Sequence, residues 1–184
     1  MTTADVLAIL LGTLGAVAYS WRSFRHPRSH GVPRFFAFEC ILGLFVFNIR
    51  SWFEDPTAPR QLLSWLLLAA SLVLAYSGFG RLRRHGSATA PAPDSPLHRF
   101  EHTSVLVTTG PYRWIRHPLY AALLYLAWGV ALKSASMPSL GLAVLASAFL
   151  LATAKIEEEE NGVRFGASYR EYMRRTKRFL PWLW

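Results

Sequence analysis

Cysteine is almost absent from this sequence, and no spacing of cysteine and histidine is typical of a zinc site. The single cysteine, Cys40, excludes a disulfide within the chain and is expected to act as a small apolar residue. No G-x-G-x-x-G motif follows a predicted strand, which argues against a Rossmann-type nucleotide domain. The sequence therefore predicts neither metal ligands nor a dinucleotide-binding fold of that type.

Acidic residues are also few, since 11 Asp and Glu stand against 20 Lys and Arg and the formal net charge is +9. Yet 52% of the 184 residues are apolar. A soluble protein rarely combines these two properties, whereas a membrane protein does so because basic residues orient its helices in the bilayer. No nucleic-acid-binding motif accompanies the positive charge, so a nucleic-acid partner is not expected.

Five apolar runs predict the fold class. None of them has the polar stripe that a helix on the surface of a soluble protein presents to water. We expect an all-α, polytopic membrane bundle with about five transmembrane helices. The first run has no basic region before it and no clear cleavage site, so it is expected to be a retained span. The runs are Val6–Trp21, Phe35–Ile49, Leu62–Phe79, Leu119–Leu132 and Pro138–Ala154.

The basic residues predict the orientation. Of the 20 Lys and Arg, 17 lie in the segments that alternate onto one side of the bundle, and this side is expected to be cytoplasmic. The N-terminus then lies outside and the C-terminus inside. The fourth run is short enough to be a buried or re-entrant helix. If the fourth and fifth runs form a hairpin that only dips into the bilayer, the segments before and after this hairpin still lie on the cytoplasmic side. Pro118 fits the first turn of that helix.

Two polar segments flank the last pair of runs. Before them lies GPYRWIRHPLY (Gly110–Tyr120), and after them a tail that begins KIEEEENGVRFG at Lys155. Both fall on the basic side, so their acids and bases gather at the mouth of the bundle. Such a cluster indicates a site for a polar ligand, although four glutamates also fit a solvated face balanced by arginines.

The connecting segments carry further signals. RLRRHGSATAPAPDSP (Arg81–Pro96) predicts a flexible loop, and SVLV (Ser104–Val107) a short strand-like run. In the tail, Asn161-Gly162 and Gly166 are expected to interrupt any single long helix. Pro181 is expected to end the helix that follows.

Together the polar segments resemble the C-terminal half of the isoprenylcysteine carboxyl methyltransferases and the related phospholipid methyltransferases. The shared pattern is G-x-Y-x-x-x-R-H-P-x-Y, a helical hairpin, and then E-E-x-x-L-x-x-x-F-G-x-x-Y-x-x-Y with a closing proline. The resemblance covers about Val105–Pro181. It implies that residues 1–80 supply N-terminal spans and that residues 81–184 form the methyltransferase region of one integral domain.

The resemblance implies an integral membrane enzyme that uses S-adenosylmethionine, held in a pocket at the cytoplasmic ends of its last helices. Arg116 and Lys155 are the candidates for contact with the substrate. The residues implied to contact the cofactor are Leu106, Val107, Tyr112, His117, Pro118, Tyr120, Glu157 and Glu158.

One departure from the pattern concerns the acceptor. The isoprenylcysteine enzymes place an arginine four residues before the first matched glutamate, where this chain has Thr153. Lys155 would take that position if the register of the glutamates slipped by two residues. The acceptor is therefore predicted only to be a lipophilic small molecule or a lipid-modified substrate. Its reacting group remains open between a carboxylate, a phosphoethanolamine nitrogen, a thiol and a hydroxyl.

Two other functions are compatible with such an architecture. One is a membrane reductase that binds NADPH, since reductases of the sterol-reductase type have a related C-terminal region. The other is a non-catalytic membrane homologue. The cofactor that the protein binds distinguishes the three.

The distribution of basic residues generates a test of topology. In a variant without Cys40, cysteines introduced at Ser87 and Ser168 should react with an impermeant thiol reagent from the cytoplasmic side, and one at Thr57 from the outside. The reason is the excess of Lys and Arg on one side. Labelling of positions 87 and 168 from opposite sides would contradict the predicted topology.

Overall fold

The computed structural model describes residues 2–86 and 104–181. Within these residues the chain forms six α-helices, two short 3-10 helices at Ile49–Ser51 and Gly110–Arg113, and no β-strand. The all-α class is therefore confirmed, and each apolar run falls within one helix, apart from the last residue of the second and of the fourth run. The helices are α1 (Thr3–Phe24), α2 (Gly31–Asn48), α3 (Pro59–His85), α4 (Pro118–Ala131), α5 (Met137–Phe165) and α6 (Ala167–Arg175).

Four of these helices are long and apolar enough to cross a membrane, namely α1, α2, α3 and α5. The fourth apolar run forms the shorter helix α4, which begins at Pro118 as expected. At 1.5 Å per residue its 14 residues extend about 21 Å, less than the roughly 30 Å of a hydrocarbon core. No residue of α4 is exposed, so α3 and α5 enclose this short helix within the bundle.

Small residues and hydroxyl groups let α3 and α4 approach closely. A Cβ at Gly129 would lie 2.9 Å from Cγ of Leu68, so only glycine fits there. Ser64 and Ser71 donate hydrogen bonds to the carbonyls of Gly129 and Ala122, at 2.6 and 2.7 Å. Close contact through small residues and hydroxyls is typical of helices packed within a bilayer. Because the later serine of α3 bonds the earlier residue of α4, these hydrogen bonds also show that the two helices run antiparallel.

Helix α5 is longer than the sequence predicted. The expectation that Asn161-Gly162 interrupts it was wrong, because the helix continues to Phe165. The side-chain amide of Asn161 lies 3.5 Å from Oε1 of Glu157, one turn earlier in the same helix. Gly166 does end α5, with a positive φ of 56°. The 29 residues extend about 44 Å, so the last turns project beyond a bilayer core.

Three other boundaries differ from the predictions. Helix α3 continues to His85, so Arg81–His85 are helical and do not belong to a loop. Residues 87–96 of that predicted loop, including Ser87, lie outside the described residues. Residues 104–107 do not pair in a sheet. Helix α6 ends at Arg175 and not at Pro181, because Thr176 is extended and the chain then pairs with residues 114–117. The final residues 182–184 are also outside the description.

At the end of the bundle opposite the four glutamates lies a buried polar group, which we call the distal cluster: Asn48, Gln61, Lys133 and Ser139. All four are fully buried. Lys133 donates to Oε1 of Gln61 at 3.0 Å and lies 3.2 Å from the centre of the Trp65 ring. Gln61 in turn donates to two carbonyls of the 49–58 connection. The cluster therefore connects α2, α3 and the α4–α5 turn.

The Lys133→Met variant should lower the melting temperature of the detergent-purified protein. Methionine fills a similar volume but leaves Oε1 of Gln61 buried without its charged donor, which costs about 1.5–3 kcal/mol. Arg50→Met is the matched control, because that side chain is 70% exposed near the same end. Equal melting temperatures for the two variants would show that the Lys133 contacts contribute nothing to stability.

Candidate active site at the glutamate end of the bundle

Backbone pairing brings the two polar segments together. The amides of Arg116 and His117 donate to the carbonyls of Lys177 and Arg178, and the amide of Lys177 donates to the carbonyl of Trp114. These bonds form a short parallel bridge between the segment before α4 and the segment after α6. The G-x-Y-x-x-x-R-H-P-x-Y motif and the tail therefore share one wall beside the projecting turns of α5.

The turn at Gly110 requires glycine for two reasons. Its φ is +63°, a conformation that other residues rarely adopt, and a Cβ there would lie 2.9 Å from Cγ of Arg81. The turn thus packs directly on the end of α3. It leads into the 3-10 helix that carries Tyr112, which is buried.

A cavity of about 700 Å³, including its open mouth, lies between these segments. Its wall contains seven of the eight residues implied to contact a cofactor, and also Arg116. Of the eight, only Glu158 is not part of the wall. The wall also contains residues that the motifs did not single out for this role: Leu82, Leu119, Asn161, Phe165, Tyr169 and Tyr172.

Glu158 is buried in an ion-pair network rather than turned toward the cavity. Arg178 donates to Oε2 at 2.9 Å and to Oε1 at 3.1 Å, and Arg116 donates to Oε1 at 2.8 Å. The hydrogen bond to Glu158 raises the pKa of the Arg178 guanidinium. Arg116 also donates to the carbonyl of Thr176. Because both arginines belong to the bridged segments, this network fastens them to α5.

His117 lies between two carboxylates. Its Nδ1 is 3.9 Å from Oε2 of Glu157, and its Nε2 is 3.4 Å from Oε1 of Glu158. Nε2 is not aligned for a hydrogen bond at that distance. The ring is 4% exposed and stacks on Tyr120 with centroids 5.4 Å apart. The imidazole thus lines the cavity with Nδ1 nearest Glu157, and its Nε2 is nearest Glu158 of the ion-pair network.

Glu157 is the carboxylate that the cavity reaches. Its side chain is 29% exposed, in contrast to the 6% of Glu158. Tyr120 and Asn161 contribute hydrogen bonds to it. Adjacent tyrosines add neutral polar surface, because burial raises the pKa of Tyr112, Tyr169 and Tyr172 and keeps them protonated. Tyr172 donates to the carbonyl of Tyr112 at 2.7 Å.

The two residues predicted to contact the substrate lie in different surroundings. Arg116 reaches the cavity wall but directs its guanidinium to Glu158. Lys155 is exposed and is not part of the wall. Both roles stay predictions. Among residues 2–86 and 104–181, no group of three or more His, Cys, Asp or Glu side chains is placed to hold a metal ion.

The N-terminal half contributes contacts that the motifs did not reveal. His30, in the connection between α1 and α2, bonds Glu160 through its backbone amide at 3.2 Å and through Nδ1 at 2.6 Å. Burial lowers the pKa of His30, but the bond to Glu160 and the charge of Glu157 outweigh burial, so the net pKa is raised. No signal in the sequence indicated this contact, because the two residues lie 130 positions apart in the chain.

The comparison with known protein families matches the part of the chain that carries the first polar segment and the four glutamates. The phospholipid methyltransferase family model matches residues 59–162, more than half of the chain, from the start of α3 to the projecting part of α5. The chain therefore belongs to the phospholipid methyltransferase family. Together with the apolar helices, this membership indicates a membrane methyltransferase and confirms the resemblance drawn from the motifs.

One curated relative is a methanethiol S-methyltransferase from Mycobacterium tuberculosis, which is 31% identical over 71 residues. The match covers 39% of this chain and 28% of that protein, so the chain spans less than a third of the relative's length. No solved structure matches the chain significantly. The family match leaves out α1, α2 and α6, although Tyr169 and Tyr172 of α6 line the cavity.

Replacing Glu158 tests the network. Glu158→Gln leaves Arg116 and Arg178 facing a neutral group, and breaking a buried ion pair in this way costs about 3–5 kcal/mol. We expect a large fall in melting temperature, whereas Glu159→Gln should have little effect because Glu159 is exposed. If the two neighbouring variants melted alike, Glu158 would be a solvated residue and not the anchor of the wall.

Proposed function

We propose that the protein is an S-adenosylmethionine-dependent methyltransferase that acts on a lipophilic acceptor within the membrane. The observation that carries this proposal is the meeting of Glu157 and His117 in one cavity. These residues are 40 positions apart in the chain, yet they lie on the same wall where α5 leaves the apolar bundle. A polar pocket at the end of an apolar helical bundle suits a polar cofactor and a lipophilic acceptor.

The chemistry of the wall fits this cofactor. The Glu157 carboxylate suits the ammonium group or the ribose hydroxyls, and the backbone amides of the turn with His117 suit the carboxylate. The rings of Tyr112 and Tyr120 suit the adenine or the positive sulfonium. When bound, the cofactor would supply a methyl group on a positively charged sulfur.

The chain's own part in such a transfer is alignment and exclusion of water. Displacement at a methyl group needs the two reactants held close and dry more than it needs a strong acid or base. Buried Tyr169 and Tyr172 close the water side of the cavity, and Pro118 and Leu119 form its apolar side. The candidate acceptor groups are a thiol, a carboxylate, a phosphoethanolamine nitrogen and a hydroxyl. The basic residues favour placing this site on the cytoplasmic face.

Binding of the cofactor should be directly measurable. S-adenosylmethionine or its demethylated product should raise the melting temperature of the purified protein, because a ligand that binds only the folded state stabilises it by mass action. NADPH should have no such effect. A shift with NADPH and none with saturating S-adenosylmethionine would support the reductase, and no shift with either would support a non-catalytic homologue.

Substitutions in the wall should weaken that binding. His117→Ala and Glu157→Ala should each reduce affinity by about tenfold to a hundredfold, as expected for a lost hydrogen bond to a charged group. Glu160→Ala should lower stability, because it releases His30, but should change affinity less. Glu159→Ala is the control. A dominant effect at Glu159 would contradict the proposed site and would indicate the slipped register that favours Lys155.

A further inference from the structure

Helix α2 lies antiparallel against α5 along its whole length. His30 bonds Glu160 at one end, and Asn48 bonds Ser139 at the other, at 2.9 Å. Between them, Ala37 packs in one cluster with Leu150 and Ala154. Since both helices rise 1.5 Å per residue, a position four residues after His30 lies level with the turn four residues before Glu160. Arg34 therefore lies level with the turn that carries Glu157.

Arg34 is a buried cation in this interface. It is 3% exposed, its Nη1 lies 3.5 Å from Nε2 of His30, and its guanidinium lies 5.2 Å from the centre of the Tyr19 ring. A guanidinium removed from water is stable only beside a compensating negative charge. The acids of the facing turn are Glu157 and Glu160, and Glu160 is bonded to His30.

The nearest acid on the same helix does not compensate Arg34. Glu39 accepts a hydrogen bond from Thr13 at 2.8 Å and so faces α1. By contrast, the charges of His117, His30 and Arg34 all act favourably on the Glu157 carboxylate. Arg34 is the one guanidinium of these three groups, and a guanidinium stays charged throughout the physiological pH range. The positive charge of Arg34 thus lies on the α2 side of Glu157, and the cavity lies on the other side.

We propose that Arg34 is a positioning residue of the methyltransferase site, which holds the Glu157 carboxylate ionised and directed into the cavity. The inference rests on the proposed function for the identity of the ligand. It assigns a role to the N-terminal helices, which the family match at residues 59–162 does not include. Arg34 touches neither reactant in this arrangement and acts through Glu157 alone.

A double-mutant cycle tests the contact and its consequence separately. Arg34→Gln, Glu157→Gln and the double variant are compared in full-length protein in detergent, by the melting temperature without ligand and by the affinity for S-adenosylhomocysteine. Arg34→Gln should weaken binding about tenfold in the wild-type background and have little effect once Glu157 is Gln, as expected for coupled residues. Arg34→Lys should restore part of the affinity, since it keeps the charge but not the planar fork.

Arg28→Gln is the matched control, because Arg28 precedes α2 and is exposed. Additive losses of affinity would show that Arg34 does not act through Glu157 and would overturn the proposal while leaving the cofactor assignment intact. Additive changes in the ligand-free melting temperature would overturn the contact itself, whatever the protein binds. A coupled melting cycle with no binding by the wild type would instead contradict the proposed function and keep the Arg34–Glu157 pair. If Arg34→Gln does not fold, Arg34→Lys carries the same cycle.

Discussion

The whole site depends on one buried carboxylate. Glu158 joins Arg116, from the segment before α4, to Arg178, from the segment after α6, and so fixes both against the projecting end of α5. Without Glu158, the guanidinium groups of Arg116 and the partly exposed Arg178 would repel each other, and the backbone bridge between their segments would lose its support. The cavity wall exists because these segments stay in register. A residue that contacts no cavity surface therefore determines the shape of the cavity.

The four consecutive glutamates illustrate how one helix separates functions by direction. Successive positions on a helix differ by about 100°, so neighbours in the sequence face different surroundings. Glu157 faces the cavity, Glu158 the arginines, and Glu160 the His30 connection, while Glu159 is exposed. A uniform run of acids thus serves a pocket, an ion-pair network, a link to the N-terminal half and the solvent.

Sequence reasoning predicted the fold class and the apolar helices because hydrophobic length is a local property of the chain. It also predicted most of the cavity wall, since the residues of the G-x-Y-x-x-x-R-H-P-x-Y motif are adjacent to one another and to α4. It did not predict that Glu158 would be buried, because that depends on Arg178, whose approach requires the chain to turn at Gly166 and again after Arg175. Nor did it predict Arg34, because this residue and the facing turn of α5 are more than 120 positions apart in the chain.

The short helix α4 sets the depth of the site. Gly78 packs against Pro118, so α3 continues about seven residues, or roughly 10 Å, beyond the start of α4, and α5 extends further still. The three helices form a well whose floor is the first turn of α4. That floor is fixed by protein and not by lipid, since no residue of α4 is exposed. One added turn at the start of α4 would raise the floor by about 5.4 Å, roughly half of the distance to the end of α3, so the length of this helix determines how far below the surface the cavity lies.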